Sequence, residues 1–216
     1  MSHFTVLVFG DDVENLLAPY DENIEVEPYI YYTRAQAVAK SRKRVEDYKN
    51  EVYSKFIADP EAYIKEHNLS EEDGHLKYLR NEFPLKLTWT DEEHYQYMKE
   101  DFNDDMVDEE GNLYSTYNPK SKWDWYSVGG RWNGQIPLKS GGYANSALAY
   151  EIDWDKMSFT FAFITPDGEW HERGEMGWWA IVSNEKEKND WETEFKNVID
   201  EFKDEDIYVT LVDCHI

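Results

Sequence analysis

The strongest constraint on this chain is a pair of short β-branched and aromatic runs near its two ends. His3-Phe-Thr-Val-Leu-Val-Phe9 is stopped by Gly10-Asp11-Asp12, and Ile207-Tyr-Val-Thr-Leu-Val-Asp213 has the same character. Runs of this length and composition read as buried strands, so a fold must bury both. Between Lys188 and Phe202, the apolar residues Trp191, Phe195, Val198, Ile199 and Phe202 step by four, three, one and three. That spacing predicts one stripe of a helix. Trp178-Trp-Ala-Ile-Val182 before it has strand length.

Phe159, Phe161 and Phe163 alternate with Thr160, Ala162 and Ile164, predicting a strand over 159–165. Thr165-Pro-Asp-Gly168 has turn chemistry, with Glu169-Trp-His171 returning as a hairpin arm. Thr33 to Phe56 predicts a helix whose inner stripe is Val38, Val45, Tyr48, Val52 and Phe56. The order β-α-β-β-α-β then predicts an α+β fold, a ferredoxin-like sandwich with helices on one face of an antiparallel sheet. In that topology the outer strands are antiparallel neighbours, and His3 lies beside the Asp213-Cys214-His215 end.

On this reading the chain is a single domain, 1–216, with a large, partly helical insertion at 58–157. Its first part, 58–115, is acidic and helical. Its second part, 116–157, is rich in aromatics and glycine. Asp59-Pro60 predicts a helix start, Ser70 and Thr90 further caps, and Thr90-Asp-Glu-Glu93 a capping box. Ten acidic residues and one Lys lie between Asp91 and Glu110, a stretch expected to be solvated and mobile.

Composition narrows the function. Lys+Arg number 22 against 46 Asp+Glu, a net charge of −24 over 216 residues, which disfavours duplex nucleic acid and anionic membrane as partners. No apolar run reaches the roughly 18 residues a transmembrane helix needs, and the opening residues lack a secretory pattern. With one cysteine, Cys214, no multi-Cys zinc site or internal disulfide framework is expected. Asp11, Asp12 and Asp213 at strand ends are read as turn or cap residues rather than metal ligands. No metal and no cofactor is expected.

Three segments carry candidate chemistry. Tyr117 to Gly134 gathers Lys122, Trp123, Trp125, Tyr126, Gly129, Gly130, Arg131 and Trp132. Adjacent glycines let backbone N–H groups face a ligand, a guanidinium grips phosphate, and indoles stack on bases. The set predicts a cradle for a small anionic, nucleotide-like ligand; the alternative is a tight hairpin whose rings belong to a core. Glu175, within the glycine-rich Gly168–Trp179 stretch, joins it as a candidate base or ligand contact, with His171 read as an exposed strand-edge residue. The third candidate is the pair His3 and His215. His3-Phe-Thr-Val6 is similar to the short His-apolar-Thr/Ser motif of two-histidine phosphoesterases, in which one His acts as base and the other as acid. Tyr208-Val-Thr-Leu211 departs from a second copy by having Tyr for His, so His215 would have to supply the second imidazole.

Lys122-Trp-Asp-Trp-Tyr126, Gly129-Gly-Arg-Trp132, Gly174-Glu-Met-Gly-Trp-Trp179 and Val212-Asp-Cys-His-Ile216 resemble a family of bacteriophage-encoded proteins of unassigned function. The resemblance implies a tailed-phage source and action in the host cytoplasm. Counter-defence follows as an expectation: binding, by sequestration or hydrolysis, of a nucleotide-derived immune signal. The competing expectation is an acidic inhibitor or DNA mimic acting on a host nucleic-acid-binding protein. Exposed aromatics would also suit a homo-oligomer.

Overall fold

Five of the six residues from Phe4 to Phe9 are apolar, so a strand built from them must be covered on both faces. The computed structural model describes residues 2–177, 179 and 181–216. Its strands, in chain order, are β1 (His3–Phe9), β2 (Tyr29–Tyr32), β3 (Leu113–Ser115), β4 (Trp125–Val128), β5 (Ile136–Pro137), β6 (Tyr143–Ala144), β7 (Ser146–Leu148), β8 (Ala162–Ile164), β9 (Trp170–Glu172), β10 (Glu175–Met176), β11 (Val182–Ser183) and β12 (Tyr208–His215). The helices are α1 (Val13–Leu17), α2 (Arg34–Tyr48), α3 (Ser54–Ala58), α4 (Pro60–Glu66), α5 (Gly74–Lys77), α6 (Phe83–Lys86), α7 (Asp91–Lys99) and α8 (Lys188–Phe202). The chain forms two compact units, one of residues 1–26 with 117–216 and one of 27–116.

The first unit is built on a mixed sheet in the order β4-β12-β1-β8-β9, with β7 also on β12. β1 and β12 pair antiparallel over the whole of β1, from His3 opposite His215 to Phe9 opposite Val209. The pleat sends Phe4, Val6, Val8, Val212 and Cys214 into a core shared with Leu17, Trp123, Ala162 and Ile164. Leu7, Phe9, Val209 and Leu211 enter a second core with Phe163 and the α8 stripe Trp191, Phe195, Val198 and Ile199. The Trp191 indole donates to the Thr160 carbonyl at 3.0 Å, tying α8 to the start of β8. On that same face, the pleat positions beyond the apolar patch are Thr5, His3, Asp213 and His215.

The α+β class and the antiparallel neighbours β1 and β12 agree with the sequence reading, as does the Thr165–Gly168 turn, closed by Gly168 N–H to the Thr165 carbonyl at 2.8 Å. The ferredoxin-like detail differs. β1 and β8 are parallel, whereas that sandwich is antiparallel throughout. A parallel pair needs a long crossover, and everything between residues 10 and 161 serves as one. The expected strand 178–183 includes two positions outside the described residues; its end, β11, pairs with β10 in a separate two-stranded ribbon. The aromatic segment 116–157 is no insertion, because β4 and β7 are strands of the main sheet.

The second unit explains why the 34–57 helix is not a sandwich layer. α2 is capped by a Thr33–Gln36 box, passes into a π turn at Lys49–Tyr53 and resumes as α3. Its buried side gives Ala37 to a cluster with Tyr95, Met98 and Leu113, and Phe56 to another with Tyr63, Leu76 and Leu79. The Thr90–Glu93 capping box and the Asp59 cap form as predicted. Ser70 does not cap; Asp73 does. Three acids in the first turn of α7 suit the positive end of its dipole, and Asp108 accepts from the backbone and side chain of Asn112 at 2.8 Å each. The 91–110 stretch thus contains a capped helix and a side-chain-bonded turn.

Two buried polar groups make this unit testable. His94 is held by the Ser41 hydroxyl, Nδ1 to Oγ 2.9 Å. Burial, and then the nearby Arg42 charge, lower its pKa below the ordinary 6.5. Between the lowered folded value and about 6.5 the unfolded chain binds more protons, so stability falls as pH falls through that window. Urea denaturation at pH 7.5 and 5.5 should show this loss, and His94→Gln should shrink it. The Tyr48 hydroxyl is buried without a hydrogen bond among the described residues, and burial pushes its pKa up to about 12. Tyr48→Phe removes the orphan group and should stabilise by about 1 kcal/mol in the same assay.

Candidate active site: a carboxylate-anchored histidine pair

Because β1 and β12 run antiparallel in full register, the first residue of one meets the penultimate residue of the chain. The His3 and His215 rings lie edge to face, centroids 4.9 Å apart and planes at 74°. Each imidazole is fixed by its own carboxylate. His3 Nδ1 is 2.9 Å from Asp213 Oδ1, and His215 Nδ1 is 2.6 Å from Asp124 Oδ1. Ionised carboxylates only accept, so each Nδ1 carries the hydrogen and each neutral ring presents its lone pair at Nε2. The His side chains are 8 % and 6 % exposed. His215 Nε2 is buried with no hydrogen-bond partner among the described residues.

Further contacts to the pair come from β4 and the bend after it. Asp124 is placed by its own N–H, which donates to the His215 carbonyl at 3.0 Å. Trp125, opposite His215 in the β4–β12 register, stacks on that imidazole at 5.0 Å and 16° and meets His3 edge-on at 5.2 Å. It remains 44 % exposed, giving the pair an open aromatic wall. Asp213 is 2 % exposed, and its Oδ2 accepts from the Arg131 backbone N–H at 2.9 Å. Gly130, at φ +49°, lies where a Cβ would collide with Asp213 and with Ser127 Oγ. Gly130 is therefore required by the close approach of the Asp213 carboxylate and Gly129 by that of the Asn145 side chain, and the N–H that serves the carboxylate is that of Arg131.

The remaining predicted ligand contacts do not converge as one cradle. Trp123 is buried in the core on the other face, its indole donating to the Leu17 carbonyl at 3.2 Å. Tyr126 packs edge-on against it in that core. Trp132 packs on the α8 side. Lys122 is tied to Glu172 at 2.6 Å, and Glu175 accepts from Asn184 at 3.1 Å on the separate ribbon. Gly129 closes the bend at φ +73°, its N–H donating to the Leu211 carbonyl. The Arg131 side chain is exposed, with no ion pair among the described residues. Trp125 alone of the predicted rings joins the histidines.

Asp124 and Asp213 are the functional positions that sequence reasoning missed as histidine partners. The signal was present: Asp213-x-His215 places both side chains on one face of a strand, that of His3 and Thr5. Asp124 could not be found this way, since its contact depends on the β4–β12 pairing. Asp12 caps α1 by accepting from Asn15 N–H at 3.1 Å, as expected. Cys214 faces the opposite core, where burial, and then Asp213, push its thiol well above the ordinary range, so it is no nucleophile. No group of three or more metal-binding side chains occurs among the described residues.

Comparison with protein-family models, curated proteins and solved structures finds no match. The site is thus read from its own geometry. Gly130→Ala tests the packing under Asp213: overlap plus positive φ should cost about 1–3 kcal/mol, read as a lower denaturation midpoint. The matched Gly134→Ala, at φ +69° with nothing within 4 Å of its Cβ, should cost less.

Proposed function

We propose that this protein binds a nucleotide-derived phosphoester and cleaves it at the His3–His215 pair. The observation that carries the reading is the juxtaposition of two imidazoles, each anchored at Nδ1 by a separate carboxylate. One imidazole, neutral, takes the proton of the attacking hydroxyl, either water or a neighbouring ribose hydroxyl. That oxygen bonds to phosphorus as the P–O bond to the leaving group breaks. The other imidazole, protonated, gives its proton to the departing oxygen. The carboxylates hold both rings in the required tautomer, and the open face of Trp125 offers a stacking surface for the base. The likeness of His3-Phe-Thr-Val6 to the two-histidine phosphoesterase motif supports the same chemistry. The resemblance to phage proteins extends the proposal to removal of a nucleotide immune signal in the host.

The acidic-decoy alternative has weaker support. Asp91 and Glu92 pair with Arg42 and Arg34, and Asp108 is engaged within its own loop, which leaves fewer carboxylates of 91–110 to imitate phosphates.

The test is incubation of the purified protein with cyclic dinucleotides, 2′,3′-cyclic nucleotides and ADP-ribose derivatives, with products resolved by mass spectrometry. Turnover should follow a bell-shaped pH profile and fall by about 100-fold or more in His3→Ala and His215→Ala. Trp125→Ala should weaken binding with a smaller effect on the chemical step. Recovery of unaltered ligand after denaturation would replace cleavage by sequestration, and neither binding nor turnover across the panel would overturn the proposal.

A further inference from the structure

The second unit contains a cavity of about 450 Å³ lined by Arg42, Lys43, Lys49, Lys86, Trp89 and His94, with Glu46 as the one carboxylate on its wall. Across the chain, acids outnumber cations by 46 to 22; on this wall the ratio is reversed, four cations to one acid. The inversion is local to α2 and its π-turn extension, where Arg34, Lys40, Arg42, Lys43, Arg44 and Lys49 fall within sixteen residues. Gathering like charges around a concave surface raises their mutual repulsion unless an anion enters.

The cations on this wall are not equally engaged. Arg42 is held by Asp91, whose oxygen accepts at 3.1 and 2.5 Å. Lys43 and Lys49 meet their own helix's Asp47 and Glu46 only at 3.5 Å, with half or more of most of these side chains in solvent, contacts of small net strength. Lys86 has no ion pair among the described residues. Its ammonium instead lies 4.4, 5.0 and 5.3 Å from the ring centres of Tyr97, Trp89 and Tyr78. Three electron-rich ring faces hold the charge in place without neutralising it. On the same wall, His94 is oriented through its Nδ1 by Ser41.

We infer that this cavity is a binding site for a small polyphosphate-bearing anion such as a nucleoside triphosphate. Its volume lies in the range of small-molecule pockets, four cations line it, and Trp89 supplies an aromatic surface beside them. The site is independent of the histidine pair, being built wholly from residues of the second unit.

Isothermal titration of the full chain with ATP, AMP and inorganic tripolyphosphate at low salt tests it. ATP and tripolyphosphate should bind and AMP should bind at least tenfold more weakly. Lys86→Met keeps the aliphatic stem between the rings while removing the charge, and should weaken ATP binding at least tenfold. Lys43→Glu, at an exposed position, should do the same in a fold checked by circular dichroism. Trp125→Ala should leave ATP affinity unchanged, separating this site from the histidine pair. Absence of heat with both ATP and tripolyphosphate, wild-type affinity in both lysine variants, or loss of binding in Trp125→Ala alone would overturn the inference.

Discussion

The antiparallel pairing of β1 with β12 is the interaction on which the first unit and its candidate site both depend. Seven register pairs join residues some two hundred positions apart, and the loop they close carries an entropy that grows only slowly with its length. The return is a central strand pair buried on both faces, with α8 on one and Leu17 and Trp123 on the other. Register is strict because a slip of one residue would turn Phe4, Val6 and Val8 out of their core and bring Thr5 and His3 into it.

That same strictness makes the chemistry. His3 and His215 are opposed because Leu7 opposes Leu211 and Val6 opposes Val212; packing at the centre of the strands dictates which side chains meet at their ends. β4 then pairs with the distal half of β12 and brings Asp124 and Trp125 to His215, while the Gly129-Gly130 bend lets the backbone close over Asp213. A polar cluster at the end of an apolar strand pair is partly shielded from water, which strengthens each charge-assisted hydrogen bond in it.

The second unit solves a different problem. Its chain is polar and strongly charged, and apart from α2 its helices are short, so isolated helix propensity contributes little there. Capping boxes at Thr33 and Thr90, the pairing of α2 cations with the first turn of α7, and small aromatic clusters hold it together. Concentrating cations on α2 in this way also produces the basic cavity wall beside Trp89.

Sequence alone determined the elements whose signal is local. Short β-branched and aromatic runs marked β1 and β12, period-3.6 spacing marked α8, and a Thr-Pro-Asp-Gly turn marked the β8–β9 hairpin, because each depends on residues a few positions apart. The neighbouring of His3 with His215 was also legible, since both lie at the tips of strands that had to pair. Tertiary structure decided the rest. Trp123 and Trp125 would share a face of one continuous strand; they part because Trp123 precedes β4 and bridges Asp21, its indole reaching the Leu17 carbonyl, while Trp125 pairs with His215. The parallel partnership of β1 and β8, the identity of the carboxylates behind each imidazole and the basic wall of the second unit likewise arise from contacts between distant segments, which no local pattern of residues encodes.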